Sequence, residues 1–541
     1  MKHLFQEGAL RPLCSSVPKN QHFWPFAALA SYPLAYFYTR CILFGWSGML
    51  TEPGLCPRGG AMVLFALLFL AAVEAAARAC SRPAAKETPL WAACWLVLSA
   101  SLAVQGHFWF LSMMQELVWH LLAVWFVLAR CGMLAQGCTG GLAPLDALAG
   151  CFTLPFGSFF ARLRTVFAAA CSLAGRRIGA RKWLATLGTL MLTVALCSIA
   201  AGQLAAADAH FAAQGTRLAA LWKDLLTDRR LMEFAFYFVL SLPVGAWLFG
   251  LVSGAARRGA PPCDALAFYK VLAPLRRLPQ LTCCIVTGAL SALYGLFFAL
   301  QLTEWTAALG GPGLTAPQAS AFAVDGFWEL LRIQLLDLAV LAGVHFLAKR
   351  PLPKPLAALF CGFGIAFALL AGAKLAVYIR LFGLTPRRVA AGWFLTVLLV
   401  WGVLLLVRVF RPIPAARIGV VVLAVSFVVL GCADPDRRIA DTTVTRWEQG
   451  IDPMLDTGVL TACGATSYSG EEKAALRVAI TRRLVQDGWF VDRDIYDIYE
   501  LYSYSFNESD QTVYITQLDA THTLHLTMQG DTCTAAVLLP A

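Results

Sequence analysis

Eleven apolar runs punctuate the first 432 residues, and a chain that carries them cannot fold as an ordinary soluble domain. They lie at about 24–50, 61–77, 90–105, 108–129, 183–204, 231–253, 281–303, 326–347, 355–378, 388–408 and 417–432. A helix needs about 20 apolar residues to cross a hydrocarbon core of roughly 30 Å, and lipid leaves it no partner for an unpaired backbone group. Most of the runs reach that length; those at 90–105 and 417–432 are short for it. The composition agrees, with 59% of residues hydrophobic and 14% charged, against about 25% charged in soluble domains. The fold class that follows is an all-α polytopic transmembrane helix bundle of about eleven spans, with a small α+β soluble C-terminal domain.

Charge gives the runs a direction. At Arg417–Asp441, RIGVVVLAVSFVVLGCADPDRRIAD, the chain changes character. From Ala433 onward 17 acids face 8 bases, although the whole chain carries +11. The bases of the preceding body gather in short connections between apolar runs, which is how a membrane protein is oriented rather than how nucleic acid is bound. With the N-terminus inside, the inner segments hold 24 Lys and Arg and the outer ones 8. The expected organisation is a cytoplasmic tail at 1–23, a helical body at 24–432, and an acidic extracytoplasmic domain at 433–541. Met1–Asn20 is polar and the next run is long and aromatic, so the start reads as a tail and first span rather than a signal peptide.

Two long connections stand out. Gly140–Lys182 is apolar with a basic flank, the pattern of an amphipathic helix on the inner leaflet; a re-entrant or further membrane segment is the alternative. Asp208–Arg230 places Leu218, Leu221, Trp222 and Leu225 at helical spacing, as in an interfacial helix. Gly250-x-x-x-Gly254 has the spacing of a close helix contact.

The tail reads as a compact module. Ser469-Gly-Glu-Glu472 has capping-box spacing, and its helix runs to about Gln486 and stops near Gly488. Thr512–Leu518, Thr521–Met528 and Cys533–Leu539 alternate as strands of a short antiparallel sheet. An external tail would allow a disulfide between Cys463 and Cys533; two unpaired thiols are the alternative. The remaining cysteines lie mostly in apolar runs, with no CxxC pair and no metal-ligand spacing.

Charged side chains inside spans are costly and usually have a purpose. The densest set is Asp325, Glu329, Arg332 and Asp337, the first three on one stripe of a helix and Asp337 near mid-membrane. Counting outward from the turn near Pro351 puts Lys374 at the depth of Glu329, so these residues are expected to form an intramembrane polar cluster. Arg40 and Glu116, at similar depth, make a second candidate pair, with His120 one turn beyond Glu116. Such groups serve equally as buried ion pairs that set helix register or as a proton or substrate path.

No phosphate-binding loop, zinc-protease, serine-hydrolase or kinase motif is present, and nothing points to a cofactor, a catalytic residue or a metal ligand. Asp325-Gly-Phe-Trp-Glu-Leu-Leu-Arg332, then Tyr378-Ile-x-x-Phe-Gly-Leu-Thr-x-x-Arg388 with Trp393, then Asp434-Pro-Asp436-x-x-Ile439-Ala, resemble a bacterial membrane family catalogued as domain of unknown function 4173 and related to 4153. Members carry Asn-Pro-Asp after the last span, where this chain has Asp434. The resemblance implies a multi-span protein of the bacterial plasma membrane and no assigned chemistry. Three functions remain open. The leading one is a sensing or assembly protein presenting its acidic domain to an extracytoplasmic protein or small molecule. The others are a permease using intramembrane carboxylates and an enzyme acting on lipid or envelope substrates. The partner common to all three is the lipid bilayer.

Overall fold

The computed structural model describes residues 23–44, 58–108, 111–173, 180–207, 229–310, 316–449, 470–496, 498, 507–510 and 513–540. Each of the eleven apolar runs coincides with a helix. Among the described residues, eight helices are long and apolar enough to cross a membrane. The runs at 24–50, 90–105 and 183–204 are not among the eight, so a count of eleven is an upper reading. The first holds a 16-residue helix and a π turn, and its remainder lies outside the described residues. The second is a 17-residue helix. The chain is therefore a multi-pass membrane protein. Its exposed leucines and phenylalanines, such as Leu64, Leu67 and Leu68 on one helix, are the side chains that lipid covers.

The chain divides into two compact units. The first comprises Met1–Ala103 and Trp119–Ala265. Its helices are α1 (Phe23–Tyr38), α2 (Arg58–Ala79), α3 (Thr88–Val104), the later part of α4 (Ser112–Cys131), α5 (Ala143–Leu148), α6 (Leu154–Gly157), α7 (Ala161–Leu173), α8 (Ala180–Ala207) and α9 (Arg229–Arg257). Aromatic rings fill its core: Phe65 and Phe69 of α2 meet Trp119 and Trp95, and Trp91 meets Trp125. Those pairings set α3 antiparallel to α4. Trp24–Phe249 and Tyr36–Phe234 likewise set α1 antiparallel to α9.

The connection at Gly140–Lys182 does not lie wholly on a surface. Leu154, Pro155 and Arg162 are buried against α9. Gly250 and Gly254 make this approach feasible, since a Cβ on them would stand 2.6 Å from the Pro155 carbonyl and 2.9 Å from that of Leu154. The Gly-x-x-x-Gly spacing thus marks a true close contact, with a connection rather than another span. The expected interfacial helix falls at 208–228, outside the described residues.

The second unit comprises Val104–Val118 and Leu266–Ala541. After a short α10 (Ala265–Leu272), it runs α11 (Gln280–Gly310), α12 (Ala316–Leu347), α13 (Lys354–Phe382), α14 (Pro386–Phe410) and α15 (Ala415–Cys432) back and forth. Tyr294, Leu330, Phe360, Phe367 and Leu395 form its helical core. A backbone bridge between Leu278 and Ala348 closes one end. The three connections gathered there and the helix ends beside them carry Arg276, Arg277, Lys349, Arg350, Lys354, Arg408, Arg411 and Arg417, with no acid among them.

The opposite end is built from the motif residues. Helix α13 stops at Gly383, whose φ of 73° suits a residue without Cβ. Arg388 lies over the Tyr378 ring and donates to the carbonyls of Phe382 and Gly383. Asp434 has φ 46°, a conformation in which Asn is the most favourable ordinary side chain and Asp a close second. Its Oδ1 accepts from the Arg437 amide at 3.3 Å, and Pro435 fits the first position of α16 (Pro435–Glu448). The Asp-Pro-Asp sequence is thus the break between span and following helix. Ile439 and Ala440 of the same motif are buried.

The C-terminal domain closes the unit. Helix α17 (Gly470–Gln486) ends at Gly488, as its sequence requires; Ser469 lies outside the described residues. It packs on a four-stranded antiparallel meander of β1 (Asn507–Asp510), β2 (Val513–Gln517), β3 (His522–Gln529) and β4 (Thr532–Pro540). Leu524, Leu526 and Met528 alternate onto the buried face and meet Val478, Ile480 and Leu484 of the helix. The strand β1 had no sequence signal. Cys533 is a fully buried free thiol in this core, and Cys463 lies outside the described residues.

Candidate functional site

Asp337, among the charged residues placed in spans, has a fixed partner and lines open space. It sits near the middle of the apolar part of α12, Glu329–Leu347, and is 4% exposed. Its Oδ1 accepts a 2.7 Å hydrogen bond from the Tyr294 hydroxyl of α11. Gln334, one turn earlier, shares its face of the helix and is 5% exposed. The Gln334 amide donates from Nε2 to the Gly364 carbonyl of α13 at 2.9 Å. A carbonyl can only accept, so the nitrogen must face Gly364 and Oε1 must face away.

The result is two acceptors without a donor. Asp337 Oδ2 and Gln334 Oε1 are both buried and unpartnered. Both residues line a cavity of about 30 Å³ walled by Phe360, Cys361, Leu398 and Leu405. That space suits one or two water-sized bodies and is far below the ~300 Å³ at which organic-ligand pockets begin. Among the described residues no three His, Cys, Asp or Glu side chains gather as a metal would need.

Of the other residues of the expected cluster, Glu329 and Arg332 are exposed on α12 and Lys374 is 6% exposed in α13. The Asp325 side chain lies outside the described residues. In the second candidate pair each member has another partner. Arg40 donates to Glu233 of α9 at 3.1 Å, because antiparallel packing of α1 on α9 brings that carboxylate to it. Glu116 stands 3.3 Å from His107, and His120 hydrogen-bonds the Tyr38 hydroxyl.

Several polar residues escaped sequence reading. Arg130 grips both oxygens of Glu74 and donates to the Arg82 carbonyl. Glu87 accepts from the amide and hydroxyl of Thr139. Asp146, 2% exposed in α5, accepts from the Ala135 amide, and burial pushes its carboxyl up to about 6. Arg162 lies 3.4 Å over the Tyr32 ring and reaches the Leu242 carbonyl beside Pro243 of α9. A charge in the Gly140–Lys182 connection was visible; its insertion between α1 and α9 was not.

Arg446 ties the start of the C-terminal domain to the helices. Arg446 of α16 donates to the carbonyls of Arg380 and Leu381 at the end of α13, 2.9 Å each, while Val444 of the same helix packs on the domain core. These are the last carbonyls of α13, which a helix leaves unpaired and a cation suits.

Against known families, the profile of a domain of unknown function, DUF4153, matches residues 92–470, well over half of the chain. No curated protein and no solved structure matches it.

Proposed function

The chain belongs to the family described as domain of unknown function DUF4153, and from that premise we propose that it is a sensing or assembly protein of the bacterial plasma membrane. Its acidic C-terminal domain faces the extracytoplasmic side and meets a protein or small-molecule ligand there. The observation that carries this reading is the polarity of the second unit. Eight bases and no acid occupy the connections at one end, and the chain leaves the other end through Asp434-Pro-Asp436 into the acidic domain. Basic connections stay cytoplasmic, so the domain belongs outside. The hold of Arg446 on α13 supports a sensing role, because a force on the domain reaches a helix that lines the Asp337 cavity.

A cysteine-depleted chain carrying Gln529→Cys or Arg350→Cys tests the orientation with an impermeant maleimide on intact cells. Labelling at 529 and protection at 350 are expected. Protection of 529 until lysis would place the domain in the cytoplasm and end this reading.

The transport reading draws on a different observation, the buried carboxylate of Asp337 beside a cavity. Removing the domain while keeping α16 separates the two. A permease body would keep its activity, and a sensor would lose its own.

A further inference from the structure

The cavity at Asp337 has a chemical asymmetry that neither orientation nor family membership explains. The Gly364 carbonyl holds the Gln334 amide nitrogen, so the amide oxygen and not the nitrogen is turned away from α13. Gln334 and Asp337, three residues apart on one helix face, both line the cavity, and Oε1 of the one and Oδ2 of the other are buried acceptors without a donor. Tyr294 gives its one proton to Oδ1.

Among the described residues the other walls bring no counter-charge. On α11 the titratable group facing the site is Tyr294, on α13 it is Cys361, and α14 contributes only Leu398, Gly402 and Leu405. Lys374 stands ten residues beyond Gly364 along α13, about 15 Å at 1.5 Å per residue, too far to pair with Asp337. An ionised carboxylate left alone at this depth costs several kcal/mol. Two hard oxygens around a space for one or two water-sized bodies match a small alkali cation with a retained water; the single carboxylate balances one positive charge and not two.

We infer that Asp337, Gln334 and Tyr294 form an intramembrane site for a single monovalent cation of sodium size. Asp337 and Gln334 supply the ligand oxygens, Tyr294 holds the carboxylate, and Gly364 fixes the amide. The site is independent of the side on which the C-terminal domain lies, so the topology experiment and this one fail separately.

The test is equilibrium binding of radioactive sodium to the purified full chain in lipid nanodiscs, with lithium, potassium and acid as competitors. Saturable binding of one ion per chain is expected, displaced by lithium and by lowering the pH. Asp337→Asn should abolish it, and Gln334→Leu, which keeps the carboxylate, should weaken it by about tenfold or more. Wild-type protein that binds none of the three alkali ions saturably overturns the proposal, whatever the variants do. So does binding that survives both substitutions. Labelling of Asp337 by a hydrophobic carbodiimide that follows pH but ignores all three ions would also overturn it, by showing that a proton alone neutralises the carboxylate.

Discussion

Breaking the Glu74–Arg130 pair should be the most damaging single polar change in the first unit. Arg130 donates through Nε and Nη2 to both Glu74 oxygens and through Nη1 to the Arg82 carbonyl, tying α4 to α2 and to the turn that follows it. Its side chain is 10% exposed, that of Glu74 29%, and that of Arg78, which also reaches Glu74, 76%. Glu74→Leu leaves a guanidinium buried with one carbonyl for company. Orphaning a buried charge costs about 3–5 kcal/mol, and the partial exposure of Glu74 puts the expected loss near the lower bound, about 3 kcal/mol. Arg78→Ala removes a solvated i,i+4 contact and should cost about 0.5 kcal/mol or less. The double variant Glu74→Leu/Arg130→Met removes both charges and should lie within about 1 kcal/mol of wild type, giving a coupling of about 2 kcal/mol or more. Reversible unfolding in mixed micelles with rising dodecyl sulfate, followed by tryptophan fluorescence, measures these proteins together with the single variant Arg130→Met that closes the cycle. A Glu74→Leu loss below about 0.5 kcal/mol, or a double variant as unstable as the sum of its parts, would refute the reasoning.

Three further outcomes follow from the same structure. The Asp146 carboxyl is raised by burial from 3.8 to about 6, so the folded chain holds this proton more tightly than the unfolded one. Its contribution is complete below about pH 4 and is lost as pH rises through 6, about 3 kcal/mol in all; the unfolding midpoint of Asp146→Asn should stay flat there while that of wild type falls, and a wild type that instead gained stability would contradict the assignment. Gly250→Ala drives a methyl to 2.6 Å from the Pro155 carbonyl and should cost about 2 kcal/mol, whereas Gly288→Ala meets nothing within 4 Å and should be neutral or slightly stabilising; equal effects in a thermal-shift comparison would dismiss the close contact. Cys533 is fully buried and its thiol is raised by that burial. It should resist maleimide in the native domain and react once the domain unfolds, and prompt native labelling would be incompatible with the described core.

The resemblance motifs show how a sequence signature becomes legible once folded. Tyr378, Arg388, Trp393 and the Asp434-Pro-Asp436 stretch were conspicuous as text, and each now has a local task. They end α13, cover its last carbonyls, pin α14 to α15 through the 3.1 Å bond from Trp393 to Ser426, and break α15 from α16. Residues close in sequence do this work, so the motif itself carried the information. Arg446 belongs to the same device and was not recognised, because the carbonyls it caps lie more than sixty residues away.

What the sequence determined by itself was whatever depends on sums over neighbouring residues. Transfer of a run into lipid, the bias of bases toward one end, the helix from Gly470 to Gln486 and the alternation of β3 are additive and local, and they were readable. The tertiary structure decided which side chains meet. Arg40 found Glu233, Arg130 found Glu74, Asp337 found Tyr294, and Gln334 was turned by Gly364. Spans such as α2 and α11 are apolar on every face, so nothing in them specifies rotation about the helix axis. That rotation is fixed only when glycines, aromatic rings and carbonyls of several helices pack at once. The charged pairs follow from it, because a side chain in lipid must take whichever partner the packing brings within reach.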